Sequence, residues 1–551
     1  MKFLIFLANT LILIQPYAKT LAPFLAGYAL FAATQSEQKQ GFWLRLGLLS
    51  LFVCLGTWAA FNWIVQQSFA GQVDAFPNFD LLLAAIFAAA GAAVYFVWLR
   101  EGQPWWDARA QAMTKKSSLE RNKKTDVRNI DLHIPQKLTP HDPKKYFKKN
   151  AIYLGLGEAL KPFYFPAAVL PHVQVAGTTG AGKGVILGTL AAQCLLNGEA
   201  VFWLDPKDDE WAPHVLAQAS KDANRPFIMV DLRPTAKAQI NFFQKSSKEQ
   251  IEELFLGAFS LSEKGTDSDF YTIDDRAAAS MVASKCQAGD TPASLFNKFG
   301  AELEEKAKKF HGLLKEMAEL APVNAKVGVD LRKIISDGGA VYIIGSMRNA
   351  KVVRMQRMLL VKIIQLCEER DRSAEKPRPV CAILDEAKYH ISKPFLESLG
   401  AARDKGLHVI LAHQSLADLK DCPADLNAEA VVGAVMENCS LKIVYRVEDP
   451  MTAEWLARKS GRIQVDDEVR RVSKNAALAE VVNDERQIRQ SERFFIDENM
   501  ILNLHKSQAV VFGNGLPTFI STSPMQVQKS PANLQTQAFE GDSIISAAEL
   551  I

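Results

Sequence analysis

The chain has 551 residues, enough for more than one domain, and 48% of them are hydrophobic. A net charge of +3 gives no sign from composition of a nucleic-acid binder. Seven scattered cysteines without a C-x-x-C pair read as buried small hydrophobes in a reducing compartment, not as a disulfide framework or zinc site.

Nearly all the long apolar runs lie before residue 100, and the remainder reads as soluble α/β protein. Residues 3–14 and 21–33 are apolar but are interrupted by Pro16, Lys19 and Pro23. They fit a cleaved signal peptide, a kinked further span or a re-entrant pair, and leave the side of Met1 open. Residues 46–65 and 81–99 carry no charge and are apolar all round. Each is long enough to cross a hydrocarbon core of about 30 Å as a helix. Residues 1–100 are therefore expected to form a membrane anchor. The connector between these runs carries only Asp74 and Asp80, whereas Arg100, Arg109, Lys115, Lys116, Arg121, Lys123 and Lys124 follow the second. That asymmetry predicts a multi-pass anchor with the long C-terminal part in the cytoplasm. Residues 101–150 form a basic juxtamembrane linker ending in Lys144, Lys145, Lys148 and Lys149. Contact with anionic lipid is the favoured reading and contact with a phosphate backbone the second.

Residues 172–176 alternate like the end of a buried strand. Gly177, Thr178, Thr179, Gly180, Ala181, Gly182, Lys183 and Gly184 follow, and residues 185–196 form an amphipathic helix stopped by Asn197-Gly198. Strand, glycine loop and helix are the setting a P-loop requires. The glycines let backbone N–H groups turn inward around phosphate oxygens, and the helix N-terminus adds its positive end. Lys183 supplies a mobile charge for the β- and γ-phosphates of ATP. The pattern departs at Gly184, where a Ser or Thr hydroxyl usually holds Mg²⁺. Either water takes that place, or Thr178 or Thr179 does.

The apolar run 380–384 ends in Asp385-Glu386. Adjacent carboxylates there could merely cap the next helix. Paired with an upstream P-loop, Asp385 is expected to hold Mg²⁺ and Glu386 to polarise the attacking water. A third strand, 408–412, ends in His413-Gln414-Ser415, placing the Gln414 amide to contact γ-phosphate or the lytic water. Arg403 precedes it and reads equally as a surface residue or as an arginine finger for a neighbouring subunit.

Further strands are expected at 200–204, 227–230, 341–344, 441–445 and 509–512, as in a parallel sheet covered by helices. Between 246 and 326 the pattern turns wholly helical, with one long helix expected over 294–320. That region is expected to be an all-helical subdomain inserted into an α/β domain built from 151–245 and 327–523. Residues 524–551 read as a flexible tail.

Several stretches resemble type IV secretion and conjugation coupling proteins of the TraD/TraG class, relatives of the FtsK and HerA motor ATPases. They are the loop 177–184 with its glycine after lysine, Leu384-Asp385-Glu386, the run 406–415, Asn438-Cys439-Ser440-Leu441-Lys442-Ile443, and Arg446 with Glu448-Asp449. Asp205-Pro206-Lys207 also matches, although Asp208 and Asp209 stand where the family often has Gly and Glu. The resemblance implies a RecA-like P-loop NTPase fold, a bacterial inner-membrane location and a homo-hexamer. It also implies delivery of a relaxase-bound, single-stranded DNA or a protein substrate, with relaxosome proteins and channel subunits as partners. Two other readings are a DNA pump of the FtsK/HerA type, and a membrane scaffold with a regulatory nucleotide site.

Overall fold

The computed structural model describes residues 2–35, 39–68, 81–113, 139–371, 376–474, 480–530 and 534. Most of the connector, the basic residues Lys115, Lys116, Arg121, Lys123 and Lys124, and most of the expected tail lie outside these. The chain forms two compact units, residues 1–121 with 464–491, and residues 122–463 with 492–551.

The first unit contains α1 (Lys2–Gln35), α2 (Gln40–Ser68), α3 (Leu81–Val97) and α4 (Gln103–Met113), the last two joined by one π-helical turn. The two apolar runs at the N-terminus, which fit a signal peptide, a kinked span or a re-entrant pair, form one helix that passes through Pro16 and Pro23. Two helical stretches, Gln40–Ile64 and Leu81–Arg109, are long and apolar enough to cross a membrane. Helix α1 packs on α3 at small residues. A Cβ on Gly27 would lie 1.9 Å from the Ala88 carbonyl oxygen, and one on Gly91 would lie 2.0 Å from that of Phe24. Only glycine permits such backbone approach between apolar helices.

The second unit is built on a mixed eleven-stranded sheet, in the order β2-β1-β13-β12-β9-β3-β8-β7-β4-β6-β5. In chain order the strands are β1 (Ile152–Leu156), β2 (Pro162–Phe165), β3 (Val173–Ala176), β4 (Ala200–Asp205), β5 (Phe227–Asp231), β6 (Gly339–Ile344), β7 (Val380–Leu384), β8 (Leu407–His413) and β9 (Leu441–Tyr445). β12 (Gln508–Phe512) and β13 (Thr518–Ser521) come after a separate pair, β10 (Arg462–Lys474) and β11 (Glu480–Phe494), most of which belongs to the first unit. From β9 to β5 every pairing is parallel, and from β9 outward to β2 every pairing is antiparallel. The expected parallel sheet is thus one side of a mixed one, running from β9 to the edge strand β5.

Both faces of the parallel block are covered, which explains its uninterrupted apolar strands. On β4, Val201 and Trp203 join one core with α5 (Lys183–Leu196) and α6 (Ala212–Asp222). Phe202 and Leu204 face the other, larger core. Between β5 and β6 the described chain is helical: α7 (Lys248–Phe259), α8 (Ile273–Lys285), α9 (Pro292–Lys306), α10 (Lys308–Ala318) and α11 (Leu331–Asp337). These helices share the second core with the sheet, together with α12 (Ala350–Glu368) and α13 (Lys393–Ala401). Residues 246–326 are therefore a helical layer of the sheet unit and have no separate core. The single helix expected over 294–320 is broken at Ala307 (φ −143°, ψ 71°), where buried Asp275 accepts the Phe310 N–H at 2.8 Å and starts α10 afresh. The expected tail begins fastened. His141 donates its N–H to the Pro524 carbonyl (3.1 Å), and Gln526 donates to that of His141 (2.9 Å).

Candidate nucleotide site

Parallel pairing decides where the chemistry collects. Ala176 at the end of β3 is level with His413 of β8 and Val444 of β9. Leu384 of β7 is level with Leu411 of β8 and Leu204 of β4. The segments leaving β3, β4, β7, β8 and β9 therefore emerge at one edge of the sheet, where ligands of open α/β sheets bind.

The loop after β3 needs its glycines. Gly177 (φ +154°) and Gly182 (φ +128°) hold conformations that other residues rarely adopt. A Cβ on Gly182 would also lie 2.9 Å from the Tyr445 ring. Among the described residues, none accepts a hydrogen bond from the backbone N–H of Thr179, Gly180, Gly182, Lys183 or Gly184. Such unpaired donors at a helix start form a cradle for phosphate oxygens. Buried Lys183 donates its Nζ to the Gly177 carbonyl (2.6 Å) and to that of Thr178 (3.3 Å). Burial lowers its pKa, against the pull of Glu386 and Asp385. A Cβ on Gly184 would meet nothing within 4 Å, so the missing hydroxyl leaves space rather than a filled contact. No described residue hydrogen-bonds to the Thr178 or Thr179 hydroxyl.

Asp385 and Glu386 come together with Gln414, as their strand-end positions predict. The Gln414 Nε2 donates to Glu386 Oε1 at 3.1 Å. Glu386 is buried and sits in left-handed backbone (φ 47°, ψ 68°). Burial alone would raise its pKa, but Lys207, Gln414 and Lys183 outweigh that and hold it below the ordinary carboxylate value. Asp385 is pushed up to about 6, chiefly by burial, with Asp205 and Glu386 adding repulsion and Lys207 and Lys183 opposing it. A carboxylate so placed gains from a divalent cation, so the donor set suits Mg²⁺.

Lys207 had no assigned role in the sequence reading. Its Nζ pairs with Glu386 and lies 3.7 Å from Asp385 Oδ1. Asp205 builds the turn that carries it, accepting the N–H of Lys207 (2.8 Å) and of Asp209 (2.6 Å) while Tyr342 Oη donates to it. The Asp205-Pro206-Lys207 match was the one available signal. His413 is locked between Gln174 (2.8 Å) and the Ser415 carbonyl (2.9 Å), which fixes the approach to Gln414.

Arg403 is not brought to this edge. It is exposed on the turn Ala402–Lys405 before β8, at the opposite end of the strand from Gln414. Arg446 leaves β9 at the phosphate edge, where its carbonyl accepts the Thr178 N–H at 2.8 Å.

Residues 379–505 match the family described as the TraM recognition site of TraD and TraG. Mobilization protein A of Escherichia coli is 28% identical over 326 residues, or 58% of this chain. The chain spans 60% of the length of that relative. Among solved structures, the bacterial conjugative coupling protein TrwBΔN70 in its unbound monoclinic form has a TM-score of 0.53 at 16% identity, covering 73% of this chain and 97% of that chain. TrwB in complex with ADP and Mg²⁺ has a TM-score of 0.51 at 16% identity, covering 76% and 99%. These likenesses show a common fold, a mixed sheet covered by helices.

Proposed function

Taking as premise that this chain is a relative of the TraD/TraG class of conjugation coupling proteins, we propose that it is a membrane-anchored ATPase of DNA transfer. It couples ATP hydrolysis to delivery of a relaxase-bound DNA strand, or of a protein, to a secretion channel. The observation that carries this reading is one sheet edge combining five unpaired loop amides, Lys183 and the Asp385-Glu386-Gln414 group.

The loop amides and Lys183 bind the phosphates and align the terminal one. Asp385 would hold Mg²⁺, which would supply positive charge to offset that of the phosphates. Glu386 takes the proton of the attacking water, and its depressed pKa keeps it ionised for that step. Gln414, bonded to Glu386, orients the same water. Lys207 holds the Glu386 carboxylate in place between these groups.

The anchor lies in residues 1–100, the spans at 46–65 and 81–99, in a bacterial inner membrane with the ATPase unit in the cytoplasm. The linker 101–150 rests on anionic lipid. The assembly is a homo-hexamer, and relaxosome proteins and channel subunits are its partners. The family description of residues 379–505 supports a relaxosome protein docking within that stretch.

Lys183→Ala tests the reading. It should leave membrane insertion intact and abolish both ATP turnover and DNA transfer in cells lacking the wild-type copy. Normal transfer by that variant sinks the motor, and transfer without turnover leaves only a scaffold.

A further inference from the structure

Two of the scattered cysteines meet in the folded chain. Cys381 of β7 is level with His408 of β8, so the two side chains rise from the same face of the sheet. Helix α5 lies across that face and brings Cys194 onto them. The two sulfurs and the imidazole nitrogen lie within 4.8 Å of one another, and Cys194, Cys381 and His408 are 1%, 0% and 1% exposed. The site sits near the start of β7 and β8, at the edge away from the nucleotide loop.

A second observation points to a ligand. His408 Nε2 is 2.6 Å from Glu199 Oε2, and the other oxygen of Glu199 accepts from Asn197 Nδ2 at 3.0 Å. His408 Nδ1 is fully buried and makes no well-formed hydrogen bond; the group that faces it is the Cys194 thiol. Leaving such a nitrogen unpaired is costly, and a thiol is a poor partner for it. A carboxylate on the far nitrogen of a histidine is the usual support of a metal-bound imidazole, because it fixes the tautomer and the ring.

We propose that Cys194, Cys381 and His408 Nδ1 bind one thiophilic d¹⁰ cation, Zn²⁺ or Cu⁺, in a closed three-ligand site. Both oxygens of Glu199 are engaged, so it supports the site from outside the ligand set. Two sulfurs and one imidazole suit a soft or borderline cation and disfavour Mg²⁺ or Ca²⁺. Uptake releases the two thiol protons, together with the Nδ1 proton of His408 where the Glu199 pair holds the ring charged, and changes no oxidation state. The cation enters as the chain folds, since the site is sealed. Its effect is structural: it ties α5, which begins at Lys183, to the strands that lead into Asp385 and Gln414.

The test uses the full chain, purified without chelators from cells grown with added zinc or added copper, and analysed for both elements. About one equivalent of one element per chain is expected, named by the medium that fills the site. The combined Cys194→Ser and Cys381→Ser substitution should lose it, as should His408→Gln. Glu199→Gln should lower affinity about 10–100-fold. Binding of a non-hydrolysable ATP analogue reports that each variant is folded. For variants that fail to fold, the wild type is titrated with a mercurial, which should release the cation in step with blocking of the buried thiols. A folded wild type that carries neither element from either medium overturns the proposal, as does a folded double-serine variant that retains the cation.

Discussion

Glu386 holds a left-handed backbone conformation that costs a non-glycine residue on the order of 1–3 kcal/mol. Its carboxylate is fastened twice, by Lys207 and by Gln414. The strain and the paired bonds serve one end, a fixed carboxylate oxygen at the phosphate edge. Glu386→Gln keeps the shape and the Gln414 contact but cannot accept a proton. It should bind ATP normally and hydrolyse it about 10²–10⁴-fold more slowly. Asp385→Asn should instead weaken Mg²⁺-dependent nucleotide binding. Measuring turnover and nucleotide affinity for both variants separates the roles, and equal mild losses would show that the acids are wrongly assigned.

Helix packing raises two expectations. The contact of α1 with α3 at Gly27 and Gly91 has no room for a side chain. Gly91→Leu should therefore destabilise the helical anchor by about 1–3 kcal/mol, seen as a lower unfolding temperature in detergent. Gly41→Leu is the control, since a Cβ there meets nothing within 4 Å. The other expectation concerns Lys362 of α12, which is 4% exposed and donates to Ser246 and to the Gln244 carbonyl. Burial pushes its pKa down to about 8. Below pH 8 the buried charge therefore opposes folding in full. Between pH 8 and the ordinary value of 10.5 the unfolded chain binds more protons, so stability rises with pH. Lys362→Met should stabilise the fold at pH 7 by roughly 3 kcal/mol at most, seen as a higher unfolding temperature. That gain should shrink as pH climbs toward 10.5, because the wild type is then relieved of the same cost.

A sheet with its phosphate site at an open edge invites completion by a second subunit. Strand β8 has 7 residues, so Arg403 lies about 20 Å from the phosphate edge of its own subunit. Only a neighbour could use it there. An arginine supplied in trans contributes about 10³–10⁵ in rate. Arg403→Ala should then bind ATP, remain oligomeric and hydrolyse little. Mixed with Lys183→Ala subunits it should regain part of its turnover, because some interfaces join an intact loop to an intact arginine. Normal turnover by Arg403→Ala alone would make it a surface residue and move the test to Arg446, which already stands at the phosphate edge.

The loop 177–184, the acids after β7 and the glutamine after β8 were legible in the linear chain because each is local. A buried strand is a short apolar run, and the next residues must leave the sheet at that strand's end. The eight strands read from apolar runs are all present, for the same reason. Strands β10 and β11 escaped notice because charged residues crowd them, and β2 because it opens with proline. The break at Ala307 depends on Asp275, thirty-five positions from the N–H it caps. Strand order decided the rest. Parallel neighbours taken out of sequence set Lys207 against Glu386 and put Arg403 at the wrong edge for its own nucleotide. The same order gathered Cys194, Cys381 and His408, none of them near another in the chain. Local spacing encodes what one strand, turn or helix does alone, whereas contacts across a sheet follow from how its strands pair.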